Sequence, residues 1–196
     1  MGKVLEINSQ NPQKRLIDMV IKEIKNNSLI ILSLESGYML ATSINNKSGI
    51  EKIRTLRKFK DGDNLTLICK DIKEASVYLD IDNNAFKYIK GSSNDCSFIL
   101  NSKKTLPNFV NSKNKTLGLR LSSYPVFLEI VDILGEPLVG ASLIIKNDDI
   151  LELQYDPDEI MEIFLNKVDL IINTGYSTNK IVDIVNLTNS TIEVLR

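Results

Sequence analysis

Apolar residues recur along this chain at two different periods. Leu16, Met19, Val20 and Ile24 fall at helical spacing. Asn11 offers a cap and Pro12 suits a first turn, so a helix is predicted to start there and to end at Asn26-Asn27. Residues 29–34 form a short apolar run bounded by polar residues, which predicts a buried strand. Ser48-Gly49-Ile50-Glu51 has the form of a capping box and opens a second helix, with Ile50, Ile53 and Leu56 as its apolar positions. Asp61-Gly62-Asp63 marks a turn, and a strand follows over 65–69. Helices are predicted over 72–78 and 83–90, and strands over 96–100 and 116–121. Gly135 stops a helix over 125–134, and 138–145 reads as extended. Asp156-Pro157-Asp158-Glu159 opens a further capped helix. Strands over 170–172, 181–185 and 192–195 complete the pattern. Interleaved strands and helices predict one α/β domain over residues 1–196, built on a mixed sheet. No internal repeat, low-complexity tract or linker divides it.

Composition narrows the chemistry more than the fold. With 196 residues, 43% hydrophobic and 25% charged, the chain is long enough for one well-buried core and has an ordinary soluble balance. No apolar run approaches the ~20 residues of a membrane span, so a cytoplasmic protein is expected. Cys69 and Cys96 lie in apolar strand-like runs and are expected to pack as small hydrophobes, not to form a disulfide. The chain has no histidine. That excludes Ser-His-Asp and Cys-His nucleophiles and any histidine metal site. Remaining chemistry must use Lys, Arg, carboxylates, hydroxyls or a bound metal.

Charge is segregated beneath a net value of -1. Between Lys47 and Lys60 stand six cations (Lys47, Lys52, Arg54, Arg57, Lys58 and Lys60) against one acid, Glu51. Residues 101–120 add five cations (Lys103, Lys104, Lys113, Lys115 and Arg120) and no acid. Residues 147–169 hold eight acids and one cation, Lys167, and read as a solvated helix face. A field as one-sided as that of 47–60 usually faces an anion, most often phosphate.

The blocks Glu35-Ser36-Gly37-Tyr38, Asp61-Gly62-Asp63-Asn64-Leu65-Thr66-Leu67, Phe98-Ile99-Leu100, Lys115-Thr116-Leu117-Gly118-Leu119-Arg120 and Leu134-Gly135-Glu136-Pro137-Leu138 stand in a telling order. Their order and spacing resemble the YrdC/YciO superfamily of threonylcarbamoyl-AMP synthases, and its YciO-like branch in particular. The likeness runs from Asn11 to Arg196. It implies a single YrdC-like domain without the extra C-terminal domain of longer relatives, its twisted sheet and flanking helices enclosing a basic cavity. Family synthases join L-threonine, bicarbonate and ATP and release pyrophosphate. The product serves tRNA threonylcarbamoyladenosine modification, and members have also been described as binding double-stranded RNA.

The resemblance also assigns residues. Glu35, Ser36 and Tyr38 match the family's segment before its Tyr, while Ser33 and Leu34 replace Pro and Thr. With Thr66 and Ser97 they are the substrate-side candidates. The family's Lys-x-Arg falls on Arg57-Lys58-Phe59, keeping the first cation and losing the second. Phosphate clamping relies on paired, oriented donors. Lys58 and Lys60 stand close by, but a lysine is a mobile point charge and does not reproduce a guanidinium fork. The strand Arg is kept as Arg120. Ser142-Leu143-Ile144 keeps the Ser of Ser-x-Asn and loses the Asn, and Arg196 matches the late Arg. The nucleotide or phosphate candidates are therefore Arg57, Lys58, Lys60, Arg120, Ser142 and Arg196. Ser93-Asn94-Asp95 replaces a Pro-Gly-Pro-type turn, and Val182-Asp183-Ile184 replaces hydroxyls near the end.

Each candidate also has a plainer reading. Tyr38 could be core, Arg120 an outward or paired strand residue, and Ser142 a packing residue. Lys52, Arg54, Lys103, Lys104, Lys113 and Lys115 are candidates for RNA-backbone contact by charge alone. No metal site is assigned. Glu35 is a weak candidate for Mg2+, and ATP with Mg2+ is the cofactor the resemblance implies. Two readings follow. One is a divergent protein holding a nucleotide or RNA (tRNA or double-stranded) in the basic cavity with weakened synthase motifs. The other is an enzyme that makes or handles threonylcarbamoyl-AMP.

Overall fold

The 29–34 run becomes β2 (Ile30–Leu34), which turns at once into an antiparallel neighbour, β3 (Gly37–Ser43). β3 is buried along its whole length, so no alternation marks it in the sequence and the pattern predicts no strand there. The structure, a computed structural model, describes residues 2–93, 96–147, 150–153, 156–177, 182–189 and 191–195.

The remaining elements are β1 (Lys3–Glu6), α1 (Lys14–Lys25), α2 (Lys47–Leu56), β4 (Thr66–Cys69), α3 (Ile72–Tyr78), α4 (Asn83–Gly91), β5 (Cys96–Asn101), β6 (Thr116–Leu121), α5 (Pro125–Leu134), β7 (Leu138–Ser142), β8 (Ile144–Asn147), β9 (Ile150–Leu153), α6 (Pro157–Phe164), β10 (Leu170–Asn173), β11 (Asp183–Asn186) and β12 (Glu193–Val194). A 3-10 turn spans Asn108–Val110. Strands β1, β10, β2, β3, β7, β4, β6, β5, β11 and β12 lie side by side in that order in one mixed sheet, and β8 and β9 form a separate hairpin. The chain is thus a single α/β domain, as the interleaved pattern implies.

Three boundaries differ from the sequence expectation. Gln13, not Asn11, precedes α1, and Asn8 Oδ1 instead accepts the backbone N–H groups of Gln10 and Asn11 in a turn ahead of the helix. Asn46 caps α2 in place of Ser48. Its Oδ1 accepts from Gly49 N at 3.0 Å while its Nδ2 donates to Asn27 O and Thr42 Oγ1, so the buried amide also fastens the helix to its neighbours. The extended run 138–145 divides between β7 in the main sheet and β8 in the hairpin. Of the strand expected over 181–185, Ile181 lies outside the described residues, Val182 precedes the strand, and 183–185 fall in β11.

Two cores occupy opposite faces of the sheet. On the first, Leu67, Cys69, Leu117, Leu119, Phe98 and Val139 meet α2, α3, α4 and α6 through Ile50, Ile53, Ala75, Ile89, Ile160 and Phe164. On the second, Ile30, Leu32, Met39, Ala41 and Leu170 meet α1 and α5 through Ile17, Val20, Ile24, Phe127 and Ile130. Both cysteines are free, Cys69 buried and Cys96 half-buried, as expected. Burial pushes the Cys69 thiol well up from its ordinary value.

Candidate functional site

Strand alternation decides what stands on the second face beyond α1 and α5. Because Leu67, Leu119, Phe98, Val139 and Ala141 face the first core, Thr66, Arg120, Gly118, Ser97, Gly140 and Ser142 face the other way. Arg120 is only 3% exposed. Pairing of Phe98 with Leu119 sets Ser97 beside Arg120, whose Nη2 donates to Ser97 Oγ at 3.0 Å. Its Nη1 lies 3.3 Å from Met39 Sδ, and Met39 pairs with Ser142 across β3 and β7. Thr66 sits between Gly118 and Gly140 on the neighbouring strands. A Cβ on Gly140 would fall 2.0 Å from Leu40 O, so only glycine permits this approach of β7 to β3. Four residues singled out in the sequence (Arg120, Ser97, Thr66 and Ser142) therefore share one hydroxyl-lined face around a buried cation.

A second group gathers at the tip of the β2–β3 hairpin. Glu35 and Ser36 form its turn. Glu35 Oε2 accepts from Ser122 Oγ at 2.8 Å, and Oε1 accepts from Ser123 N at 2.7 Å and Ser123 Oγ at 3.0 Å. Ser122 and Ser123 directly follow β6, so Glu35 ties the hairpin tip to the start of α5. The Tyr38 ring is buried on the first face, and its hydroxyl donates to Gly175 O at 2.7 Å and accepts from Thr174 N at 3.2 Å. Burial raises the pKa of this phenol. Tyr124 Oη donates to Thr174 Oγ1 at 3.3 Å. Strands β6 and β10 are separated in the sheet by β4, β7, β3 and β2, yet the loops after them meet here. Ser36 is 5% exposed, and its Oγ has no hydrogen-bond partner among the described residues.

Glu35 thus spends both carboxylate oxygens on loop donors, and the described residues contain no group of three acids or cysteines able to hold a metal. This donor set does not build an all-protein Mg2+ cage. A Mg2+ would have to arrive with phosphate oxygens of its own.

The basic segments come together as a surface. Arg57 caps α2, its guanidinium 6.0 Å from the Phe59 ring centroid; burial lowers its pKa and Asp63 opposes that. Phe59 is half-buried and packs against the first core. Lys58 adopts φ 50°, and Lys60 is exposed while its backbone N–H donates to Asp63 Oδ2. Arg54 donates to Glu51 Oε1 and to the carbonyls of Val110 and Asn111. Lys113 pairs with Asp61, which joins 47–63 to 101–120. Lys103 Nζ donates to Ser76 O at 2.7 Å, and Lys52 lies 4.0 Å from Asp169. Lys104 and Lys115 are exposed. Arg196 lies outside the described residues, as do Asn94 and Asp95. A hollow of about 790 Å³ runs along α2 beside Lys47, Glu51, Lys52 and Lys167; none of Arg57, Arg120, Ser97, Thr66 or Ser142 lines it.

Sequence reasoning missed Ser122, Ser123, Tyr124, Thr174 and Gly175. The available signal was position: polar clusters just beyond the carboxyl ends of strands are where open α/β sheets bind ligands.

Comparison with known proteins agrees with this architecture. The family profile for Sua5, YciO and YrdC, described as "Telomere recombination", matches residues 22–196. The chain is 35% identical to the YciO protein of Escherichia coli K12 over 198 aligned residues, covering 100% of this chain and 95% of that protein. The crystal structure of E. coli YciO superposes with a TM-score of 0.94 at 34% identity, covering 100% of this chain and 95% of the other. P. abyssi Sua5, solved in complex with L-threonine, shares the fold with a TM-score of 0.86 at 15% identity, covering 98% of this chain and 56% of that one. Full-length HypF in a phosphate- and nucleotide-bound form gives 0.75 at 17%, covering 92% and 28%.

Proposed function

The chain belongs to the Sua5/YciO/YrdC family, and on that ground we propose that it binds a nucleotide, phosphates toward Arg120, with the family's synthase chemistry weakened. The observation that carries this reading is Arg120. A guanidinium held almost fully inside the protein, on a sheet face with Ser97, Thr66 and Ser142, suits an oxyanion that arrives with matching acceptors. Ser97 Oγ fixes one arm of the fork, so the group is oriented before any ligand binds.

Weakened chemistry follows from Phe59. Stabilising the pentavalent phosphorus of adenylate transfer takes several oriented positive donors. Packing of Phe59 against the first core leaves Arg57 as the one guanidinium that 57–59 contributes. Lys58 and Lys60 can attract phosphate but do not present a planar fork. The joined basic surface of Lys104, Lys113 and Lys115 supports RNA-backbone binding as a second reading, with tRNA or double-stranded RNA as its ligand.

Titration with AMP and with ATP by calorimetry tests the nucleotide reading. Binding is expected and should fall at least tenfold in Arg120→Met. Incubation with ATP, L-threonine and bicarbonate should give little pyrophosphate. Robust threonine-dependent release, abolished by Arg57→Ala, would sink the weakened-synthase reading in favour of an active threonylcarbamoyl-AMP synthase. RNA binding should weaken steeply as salt rises.

A further inference from the structure

Tyr176 is 73% exposed, yet the loop that carries it is fastened from several sides. Tyr38 Oη bonds both Thr174 N and Gly175 O, Tyr124 Oη bonds Thr174 Oγ1, and Gly175 N donates to Asn173 Oδ1 at 2.9 Å. Ser33 Oγ reaches Ser177 Oγ at 3.5 Å on the far side. Gly175 has φ 89°, a conformation that turns the chain sharply just before Tyr176. Two tyrosine hydroxyls are thus used to hold a third tyrosine out in solvent. The Tyr176 hydroxyl hydrogen-bonds Asp156, and the ring remains largely in solvent.

The residues on either side of Tyr176 meet the β2–β3 hairpin through Tyr38 and Ser33. Ser36 Oγ, buried and without a partner among the described residues, lies in that tip, two residues from the Tyr38 that clasps the loop. A buried hydroxyl with no acceptor is costly and points to a ligand or water atom that completes it. Asp156, Asp158 and Glu159 push the Tyr176 hydroxyl pKa up, Asp156 most. That acidic neighbourhood repels phosphate, so an anionic group belongs at the Arg120 side and something uncharged and planar at Tyr176.

We infer that Tyr176 is a stacking platform for the heterocyclic base of the bound nucleotide. The inference rests on the nucleotide reading above and adds the end of the ligand that the basic residues do not explain. A base offers a π-face of the right size, and stacking on an exposed aromatic tolerates any base. The bonds that hold Thr174 and Gly175 reduce the entropy lost when the ring is covered.

The test uses AMP and ribose 5-phosphate, which differ by the base alone. Tyr176→Ala should weaken AMP about tenfold, within the usual range for one base–aromatic stack, and leave ribose 5-phosphate unchanged. Tyr176→Phe keeps the ring and should bind AMP like the parent. The chain has no tryptophan, so Tyr176→Trp supplies a single indole whose emission AMP should quench and ribose 5-phosphate should not. Equal AMP affinity in Tyr176→Ala, or loss of affinity in Tyr176→Phe, overturns the platform while leaving the nucleotide reading intact. Failure of the parent protein to bind either AMP or ribose 5-phosphate overturns the nucleotide reading and the platform with it.

Discussion

Over β10, β2 and β3 the second face of the sheet carries Leu170, Ile30, Leu32 and Met39 beneath α1 and α5. Over β7, β4, β6 and β5 the same face continues the core through Leu138 and Ile68 but also carries Ser142, Thr66, Arg120 and Ser97, with Gly140 and Gly118 between them. Both regions sit on the same hydrogen-bonded ladder and both back onto the same first core. They differ in what covers them. Two amphipathic helices exclude water from one region, whereas the other keeps polar groups, and its glycines let strands approach closely without side chains between. One sheet thus provides a packed core and a polar face by changing alternate residues only. The first core supplies the rigidity that lets the polar region hold Arg120 in place.

Among substitutions in these two regions, the largest effect is expected at Gly140. A valine there would place a Cβ 2.0 Å from the Leu40 carbonyl oxygen, a clash with backbone that no rotamer relieves. Loss of about 4 kcal/mol or more, or failure to fold, is expected for Gly140→Val. Urea unfolding checks this, and a change below about 1 kcal/mol would mean that β7 and β3 separate easily. In the covered region, Phe127→Ala removes a fully buried ring under α5 and should cost about 3–5 kcal/mol, with nucleotide affinity kept in the folded fraction.

Arg120→Met should show the opposite balance. A buried charge is exchanged for an apolar chain of similar length, so stability should change by no more than about 2 kcal/mol in either direction, while ligand affinity falls. If stability collapses with affinity, Arg120 belongs to the core, and the contrast between the two regions disappears. Glu35→Gln should be milder, about 1–2 kcal/mol, because the amide replaces one of the two acceptor oxygens that meet Ser122 and Ser123. Hydrogen exchange at residues 122–124 should quicken in that variant more than exchange in α1.

The smallest expected effect is on pH dependence. Cys69 has its pKa raised by burial above the ordinary 9.0, so the unfolded chain releases this proton first as pH rises. The stability it contributes is complete below about pH 9 and declines above it, by at most about 1.4 kcal/mol per pH unit. Tyr38 and Tyr78, also raised by burial, add to the decline above about pH 10. Urea unfolding at pH 8 and pH 10 should show the loss, and Cys69→Ala should shrink it. An unchanged alkaline slope in that variant would show that Cys69 does not sense the first core. With no histidine in the chain, little change is expected between about pH 6 and pH 8.

Much of this was legible in advance where one face of an element meets water. α1, α2, α3, α4 and α5 lie close to their expected positions because apolar residues repeat on one side of each. β3 was not legible, since a strand buried on both faces shows no period, and Asn46 hid behind a capping pattern that Ser48-Gly49-Ile50-Glu51 satisfies on paper. The site divided in the same way. Arg120, Ser97, Thr66, Ser142, Glu35 and Tyr38 could be chosen from motif likeness, but not their roles. Tyr38 proved to clasp a loop from the first face, and Arg54 to bind two carbonyls beside the 3-10 turn.

Residue type and periods of a few positions suffice for the α/β alternation, the missing histidine chemistry, the basic 47–60 segment and the family likeness. Tertiary structure alone decided that Ser97, Thr66, Arg120 and Ser142 share a face, that the loops after β6 and β10 meet, and that Tyr176 is held in solvent. Those relations join residues 23 to 137 positions apart along the chain. They depend on strand order and sheet curvature, which emerge only when both faces of the sheet are packed at once.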